Sequence, residues 1–175
     1  TNTTLGVDGQ SPFSAINSIF TQNASHNVSA TGVHNLVNSL FYDSTGANTD
    51  GLNITSAASI SFGLNNIFAE NARYGINGSA GLNLNYYDYN NFFNNGTAPR
   101  NNVPAGAHDQ TAVDPQFTNA AGGDFSIGAN LANDGFPGLF PNTLTTGFLD
   151  LGPAQRAAGG AAAGMLYTPG MSGLG

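Results

Sequence analysis

This chain has no cysteine, no tryptophan and, among its three basic residues, no lysine. Without cysteine there is neither a disulfide framework nor thiolate chemistry, and the cellular compartment is left open. The basic residues are Arg73, Arg100 and Arg156, and the formal net charge is −7. No basic patch exists to neutralise nucleic-acid phosphates or to hold an anionic membrane surface, so neither is an expected partner. No apolar run approaches the roughly 18 residues of a membrane span, and no secretory-leader pattern is present. The chain opens at Thr1 rather than methionine, which reads as a processed product or a piece of something longer. Charged residues are only 7% of the total. A polar but nearly uncharged surface suits a secreted or cell-surface protein better than a cytosolic one.

What is present is glycine, asparagine and a repeat. There are 24 glycines and 24 asparagines in 175 residues, with 40% hydrophobic content, enough to bury a core in one domain. Four related blocks recur: NSIFTQN from Asn17, NSLFYDS from Asn38, NNIFAEN from Asn65 and NNFFNNG from Asn90. In each, an Asn or Ser pair precedes two apolar residues, and an apolar or aromatic residue stands just before it. These are short β-like runs without helical periodicity. A period of 20 to 30 residues with one such run per repeat predicts a coil of parallel strands, each turn stacked about 4.8 Å on the last.

Aligned by their first residue, the blocks predict an inward column of Phe20, Phe41, Phe68 and Phe93. Ile19, Leu40, Ile67 and Phe92 form the neighbouring position. Adjacent strand residues face opposite ways, so both columns are buried only if a bend separates them or a covering segment lies over one. Asn17, Asn38, Asn65 and Asn90 then form a structural ladder, their amides bonding along the stack at a bend that tolerates left-handed backbone. The expected organisation is an N-terminal arm or partial cap over 1–13, about four rungs over 14–95, a loop-rich capping region over 96–156, and a tail or intersubunit arm over 157–175. Met165–Tyr167 are the apolar residues of that arm. Asn95 to Gln110 reads as a long loop. Six glycosylation sequons, at Asn2, Asn23, Asn27, Asn53, Asn77 and Asn95, are no more than an Asn- and Ser/Thr-rich chain acquires by chance.

The blocks resemble those of right-handed parallel β-helix proteins of the broad pectate-lyase-like group. The chain from Asn65 to Arg156 is similar to the C-terminal portion of secreted bacterial members. YYDYNNFF (Tyr86 to Phe93), VDPQF (Val113 to Phe117), GGDFSIG (Gly122 to Gly128), GANLANDG (Gly128 to Gly135) and LDLGPAQR (Leu149 to Arg156) carry that likeness. It implies an all-β, right-handed parallel β-helix, and it leaves activity open.

Candidate chemistry is sparse. Asp43 and Glu70 share a block position and fall about one rung apart. A carboxylate pair at that spacing can share a proton, hold Ca²⁺ (the one cofactor the pair would suit), or flank a glycosidic bond at the roughly 5–5.5 Å of a retaining glycosidase. The plainer reading is a solvated edge. Arg73 is placed to bind an acidic sugar or to compensate that pair. Tyr86, Tyr87 and Tyr89 around Asp88 either stack on sugar rings or cover the last rung. His26, His34 and His108 lack metal-ligand spacing, and no metal site is expected. His108 beside Asp109 has the form of a base and its orienting acid. A β-helix lyase uses several acids for Ca²⁺ and a basic residue as base, and this chain has no lysine. The expectation is therefore a non-catalytic extracellular module that associates with itself through its coil ends, as in a fibre, sheath or surface assembly. The alternatives are the C-terminal part of a polysaccharide hydrolase or lyase, and a carbohydrate-binding module.

Overall fold

The computed structural model describes residues 6–10, 12–82, 84–132, 134–136 and 151–153. The first turn supplies β1 (Val7–Gly9), β2 (Phe13–Ile16) and β3 (Ile19–Thr21). The second supplies β4 (Val28–Ala30), β5 (Val33–Val37) and β6 (Leu40–Tyr42), and the third β7 (Leu52–Ile54), β8 (Ile60–Leu64) and β9 (Ile67–Ala69). The fourth adds β10 (Tyr74–Asn77), β11 (Leu84–Asp88) and β12 (Asn91–Phe93), and an incomplete fifth adds β13 (Ala98–Asn101) and β14 (Gln110–Thr111). Each turn gives one strand to each of three sheets, ordered β1-β4-β7-β10-β13, β2-β5-β8-β11 and β3-β6-β9-β12-β14. Every strand pairing in them is parallel. The fold is a parallel β-solenoid of about four turns.

The coil runs further in both directions than the blocks indicate. β1 pairs with β4, so pairing begins at Val7 rather than Ser14. Beyond Asn95, β13 lies where the sequence reads as loop. It carries Pro99 on the outermost strand of its sheet, where a missing N–H breaks no ladder. The Met165–Tyr167 arm, the rest of the 157–175 tail, Thr1 to Leu5 and the LDLGPAQR stretch apart from Leu151–Pro153 lie outside the described residues.

The inward column is a continuous stack of rings. Phe20, Phe41, Phe68 and Phe92 follow one another at centroid spacings of 5.1, 4.6 and 5.1 Å with planes within 19°. The last member is Phe92, not Phe93: Phe92 is in register with Phe68, and Phe93 pairs with Ala69 on the opposite face. The fourth block is one residue out of phase with the other three. Its corner, which takes φ near +50° at Asn17, Asn38 and Asn65, falls on Tyr89 at φ 55. Asn90 consequently aligns with Asn66, Ser39 and Ser18 rather than with Asn65.

That shift corrects the asparagine ladder as well. The residues that bond along the axis stand one position after the corner. Ser39 N donates to Asn66 Oδ1 (3.0 Å), Asn66 N to Asn90 Oδ1 (3.0 Å), and Asn90 N to Asp109 Oδ1 (2.8 Å). Asn66 Nδ2 also donates to the Leu36 carbonyl at 2.9 Å. A matching ladder serves the next corner, where Ser44 N donates to Asn71 Oδ1 and Asn71 N to Asn95 Oδ1. Asn17, Asn38 and Asn65 supply the left-handed backbone that few non-glycine residues accept. The Oδ1 atoms of Asn17 and Asn38 are buried without a hydrogen-bond partner.

Both apolar columns are buried because a segment lies over the outer one. Leu40, Ile67 and Ala69 face out from the third sheet and pack against Phe125, Ile127, Leu131 and Leu151. At about 1.5–3 kcal/mol for each fully buried side chain, this covering layer is a second core. In the second sheet's inward column, Gly63 makes room for a ring: a Cβ there would sit 2.5 Å from Tyr87.

The two ends of the coil differ. At the C-terminal end Arg100 lies over the Phe92 ring, 4.1 Å from its centroid, and Nη2 reaches Asp109 Oδ2 at 2.6 Å. Asp109 also accepts from Asn90 N and Nδ2 and from Gly106 N, so one carboxylate terminates the ladder and anchors the capping loop. Among the described residues the outermost strands, β1, β2 and β3 at the N-terminal end and β13, β11 and β14 at the other, each have a neighbour on one side only, and the difference lies in what covers the core. Ile16 is 59% exposed at the N-terminal end, whereas its register partners Val37 and Leu64 are 8% and 4% exposed. Ile19 and Phe20 are half-buried, unlike their counterparts deeper in the stack.

Candidate functional site

Strand register brings Asp43 and Glu70 onto successive turns at one corner, as expected, where both take left-handed backbone (φ 51 and 57). Their backbone N–H groups donate to Ala69 O and Phe93 O, and Glu70 Oε2 accepts from Asn94 Nδ2 at 2.6 Å. The fourth member of this corner is thus Asn94 rather than Asn95. The pair's visible effect falls on Tyr42, whose phenol is pushed up first by burial and then by the charges of Glu70 and Asp43. No group of three or more His, Asp or Glu suited to a metal occurs among the described residues.

Arg73 does not serve that pair. Its Nε and Nη2 close on the two oxygens of Asp50 at 2.9 and 2.6 Å, and the Tyr74 N–H adds a third bond at 3.2 Å. Asp50 is fully buried. Burial alone would raise its carboxyl, but the bonds and charge of Arg73, with the Tyr74 N–H, outweigh that and hold it below the usual carboxylate range. His26 Nδ1 accepts the Asp50 N–H at 3.0 Å. The cluster closes the long bend after β6. A lone aspartate in STGANTDG carries no sequence signal of this role, because its partner is 23 residues away.

The tyrosine-rich strand separates into different environments. Tyr87 points inward, and its hydroxyl meets Ser61 Oγ, which in turn is 2.5 Å from His34 Nε2. Burial pushes the Tyr87 phenol far up and the His34 imidazole down to about 4. This is a buried polar chain inside the core, so Tyr87 offers no ring to a glycan. Tyr86 points outward and is 50% exposed, with one face stacked on Phe62 at 5.7 Å. Tyr89 stacks on His108 at 4.3 Å and takes the edge of Phe136.

Asp88 is the centre of what the structure does assemble. Its Oδ1 accepts from the N–H groups of Tyr89 (2.9 Å) and His108 (2.8 Å). Its Oδ2 accepts from the Tyr86 hydroxyl (3.4 Å) and faces His108 Nδ1 at 2.9 Å. Burial would raise this carboxyl, and the bonds from the His108 side chain, the His108 N–H and the Tyr89 N–H outweigh it and hold it low. His108 therefore pairs with Asp88 and not with its neighbour Asp109, since consecutive loop residues diverge. With four donors around it, Asp88 has no lone pair left to act as a base, and it fixes the approach of the capping loop to the end of β11. Beside it, β11 and Pro104–Ala107 enclose a cleft of about 250 Å³.

No family model matches this chain, and no curated protein or solved structure matches it significantly. Its class rests on its own geometry. The outward face of the second sheet also carries Val33, Ile60 and Leu84 in one register row, each exposed. Sequence reasoning missed this strip because each residue is an isolated apolar between blocks, in a different turn.

Proposed function

We propose that the chain is a non-catalytic, extracellular structural module, a β-solenoid of the secreted bacterial pectate-lyase-like kind, which joins a second copy through its N-terminal rung. The observation that carries the reading is the asymmetry of the ends. The C-terminal end is closed over its core by Arg100, which lies on the Phe92 ring and is held by Asp109, and the N-terminal end leaves Ile16, Ile19 and Phe20 partly in solvent beside the edges of β1, β2 and β3. An unpaired strand edge is a template for another strand. Two copies that meet at the same end form a self-complementary contact with antiparallel edges, and such a contact closes as a dimer unit. Low charge density favours this approach, since few ions need desolvation, and salt screens the mild repulsion of the −7 net charge. A surface layer or sheath built from such units requires only further lateral contacts.

The test is light scattering and electron microscopy of the purified chain across concentration and salt. Ordered association that rises with salt and is weakened by Ile16→Lys supports the reading. A strictly monomeric species at high concentration, unchanged by that substitution, rejects it.

A further inference from the structure

The second sheet carries a titratable group that the proposed function does not use. His34, on the inward face of β5, is fully buried and lies under the first turn, its ring stacked on Phe13 at 5.7 Å. Nε2 meets Ser61 Oγ, whose other neighbour is the Tyr87 hydroxyl, and Nδ1 is buried without a hydrogen-bond partner. The groups that face the ring are neutral: Phe13 from β2, Ser61 from β8, and Tyr87 from β11, whose phenol burial keeps protonated. β4 carries no titratable group, and Asp8, the acid of β1, is exposed and takes the Gln10 side chain at 2.6 Å. His26 and His108 differ, since each stands within 3.3 Å of a carboxylate that a proton would meet. A proton on His34 meets none. The imidazolium donates from both nitrogens, so its Nδ1–H would be left in the core with no acceptor.

The first turn is the part of the coil that can let go. Its apolar residues Val7, Phe13, Ile19 and Phe20 are only partly buried, whereas Val28, Leu36, Leu40 and Phe41 of the second turn are wholly so. Among the described residues its strands pair only with β4, β5 and β6. Elements with few buried contacts open at the lowest free energy. Lifting this turn takes Phe13 off His34 and gives the ring to water. Burial holds the imidazole down to about 4, against the pull of the Gly32 carbonyl, and an uncovered histidine returns toward 6.5. The closed turn is therefore favoured above about pH 6.5, and that advantage is lost as pH falls toward 4.

We propose that His34 is an acid-sensitive latch, whose protonation releases β1, β2 and β3 from the coil while β4–β14 stay paired. Where the N-terminal rung joins a second copy, as proposed above, release also parts the copies. That consequence depends on the dimer reading, and the latch itself does not. The test is backbone amide exchange by NMR, on the full chain at a concentration where light scattering shows monomer. The N–H groups of Val7 and Asn17 bond from the first turn to Asn27 O and Val37 O, and Leu40 N–H bonds back to Ser18 O, so these amides report the release. Ile67 and Asn91, bonded to Ser39 O and Asn66 O, report the deeper turns. Between pH 6.5 and 4.5, protection at the first three, corrected for intrinsic exchange, should fall about 40-fold and stay about tenfold or more below that of Ile67 and Asn91. His34→Gln keeps a partner for Ser61 without a titrating ring, and should hold the fall under about twofold. Flat protection in the native chain, or a fall that survives His34→Gln, overturns the proposal. So does equal protection at all five amides, which would make the proton a trigger of global unfolding only. If His34→Gln does not fold, the five amides of the native chain decide alone. Association at higher concentration does not enter this result, so the dimer reading and the latch stand or fall separately.

Discussion

Replacing Asn66 by alanine tests the corrected ladder most sharply. The Asn66 side chain is fully buried and makes three bonds: it accepts from Ser39 N at 3.0 Å, and donates to Leu36 O at 2.9 Å and to Asn90 Oδ1 at 3.0 Å. Alanine leaves the Ser39 N–H and the Leu36 carbonyl without their side-chain partner, inside a corner too tight for easy access of water. Each buried polar group so stranded costs about 1–3 kcal/mol, so the loss is about 2–6 kcal/mol. That is a large part of the roughly 5–15 kcal/mol that holds a domain folded. The neighbouring Asn38 is the comparison. It occupies the corner itself, with φ 50, and its Oδ1 has no partner. Asn38→Gly relieves the left-handed backbone while loosening the unfolded chain, two opposed effects that leave a change within about 1 kcal/mol. Urea unfolding followed by circular dichroism measures both. Equal losses at the two positions, or a heavier loss at Asn38, would refute the assignment of ladder and corner to adjacent columns.

Three further outcomes follow from the same geometry. Phe68→Ala empties the middle of the ring stack and should cost about 3–5 kcal/mol in denaturant unfolding, and Phe93→Ala, on the outer face, distinctly less. His34, held down to about 4 from an ordinary 6.5, stays neutral when folded and takes up a proton when unfolded. Stability should therefore fall by about 3 kcal/mol as pH drops from 6.5 toward 4. An NMR titration showing His34 protonated near pH 6.5 would contradict that. Finally, a panel of acidic and neutral polysaccharides should yield no reducing ends or unsaturated products, and activity lost on Asp43→Asn or Glu70→Gln would overturn this expectation.

The coil itself was legible in the sequence because its signal is periodic. Three of the four ring-stack members, Phe20, Phe41 and Phe68, share one block register, and parallel strands convert a shared register into a shared face. The fourth was misplaced by one residue. In YYDYNNFF the left-handed corner falls on Tyr89, and a tyrosine there gives no signal, whereas the pair Asn90-Asn91 imitates the earlier Asn65-Asn66. The consequence propagates, since it moves Phe92 inward, Phe93 outward and Asn94 into the corner of Gln22, Asp43 and Glu70. The polar clusters were illegible for a different reason. Asp50 meets Arg73, Asp88 meets His108, and Asp109 meets Arg100 across bends whose lengths vary from turn to turn. Only the coil's register brings those groups together. Proximity in sequence pointed instead to Arg73 with Glu70 and to His108 with Asp109. The covering segment was recognisable as apolar pieces after Asn95, but nothing in it specifies that Phe125 and Leu131 cover Leu40 and Ile67.

The absence of cysteine permits the most direct test of the central claim, that the open rung is the assembly surface. A single nitroxide attached through Ser14→Cys marks the exposed N-terminal strand, and one attached through Thr118→Cys marks the covering segment. Pulsed electron paramagnetic resonance at high protein concentration then reports distances between copies. The account predicts a short, well-defined intermolecular distance for the label at position 14, absent at position 118 and lost with Ile16→Lys. A short distance at position 118, or none at position 14 in a sample that light scattering shows to be associated, would contradict it.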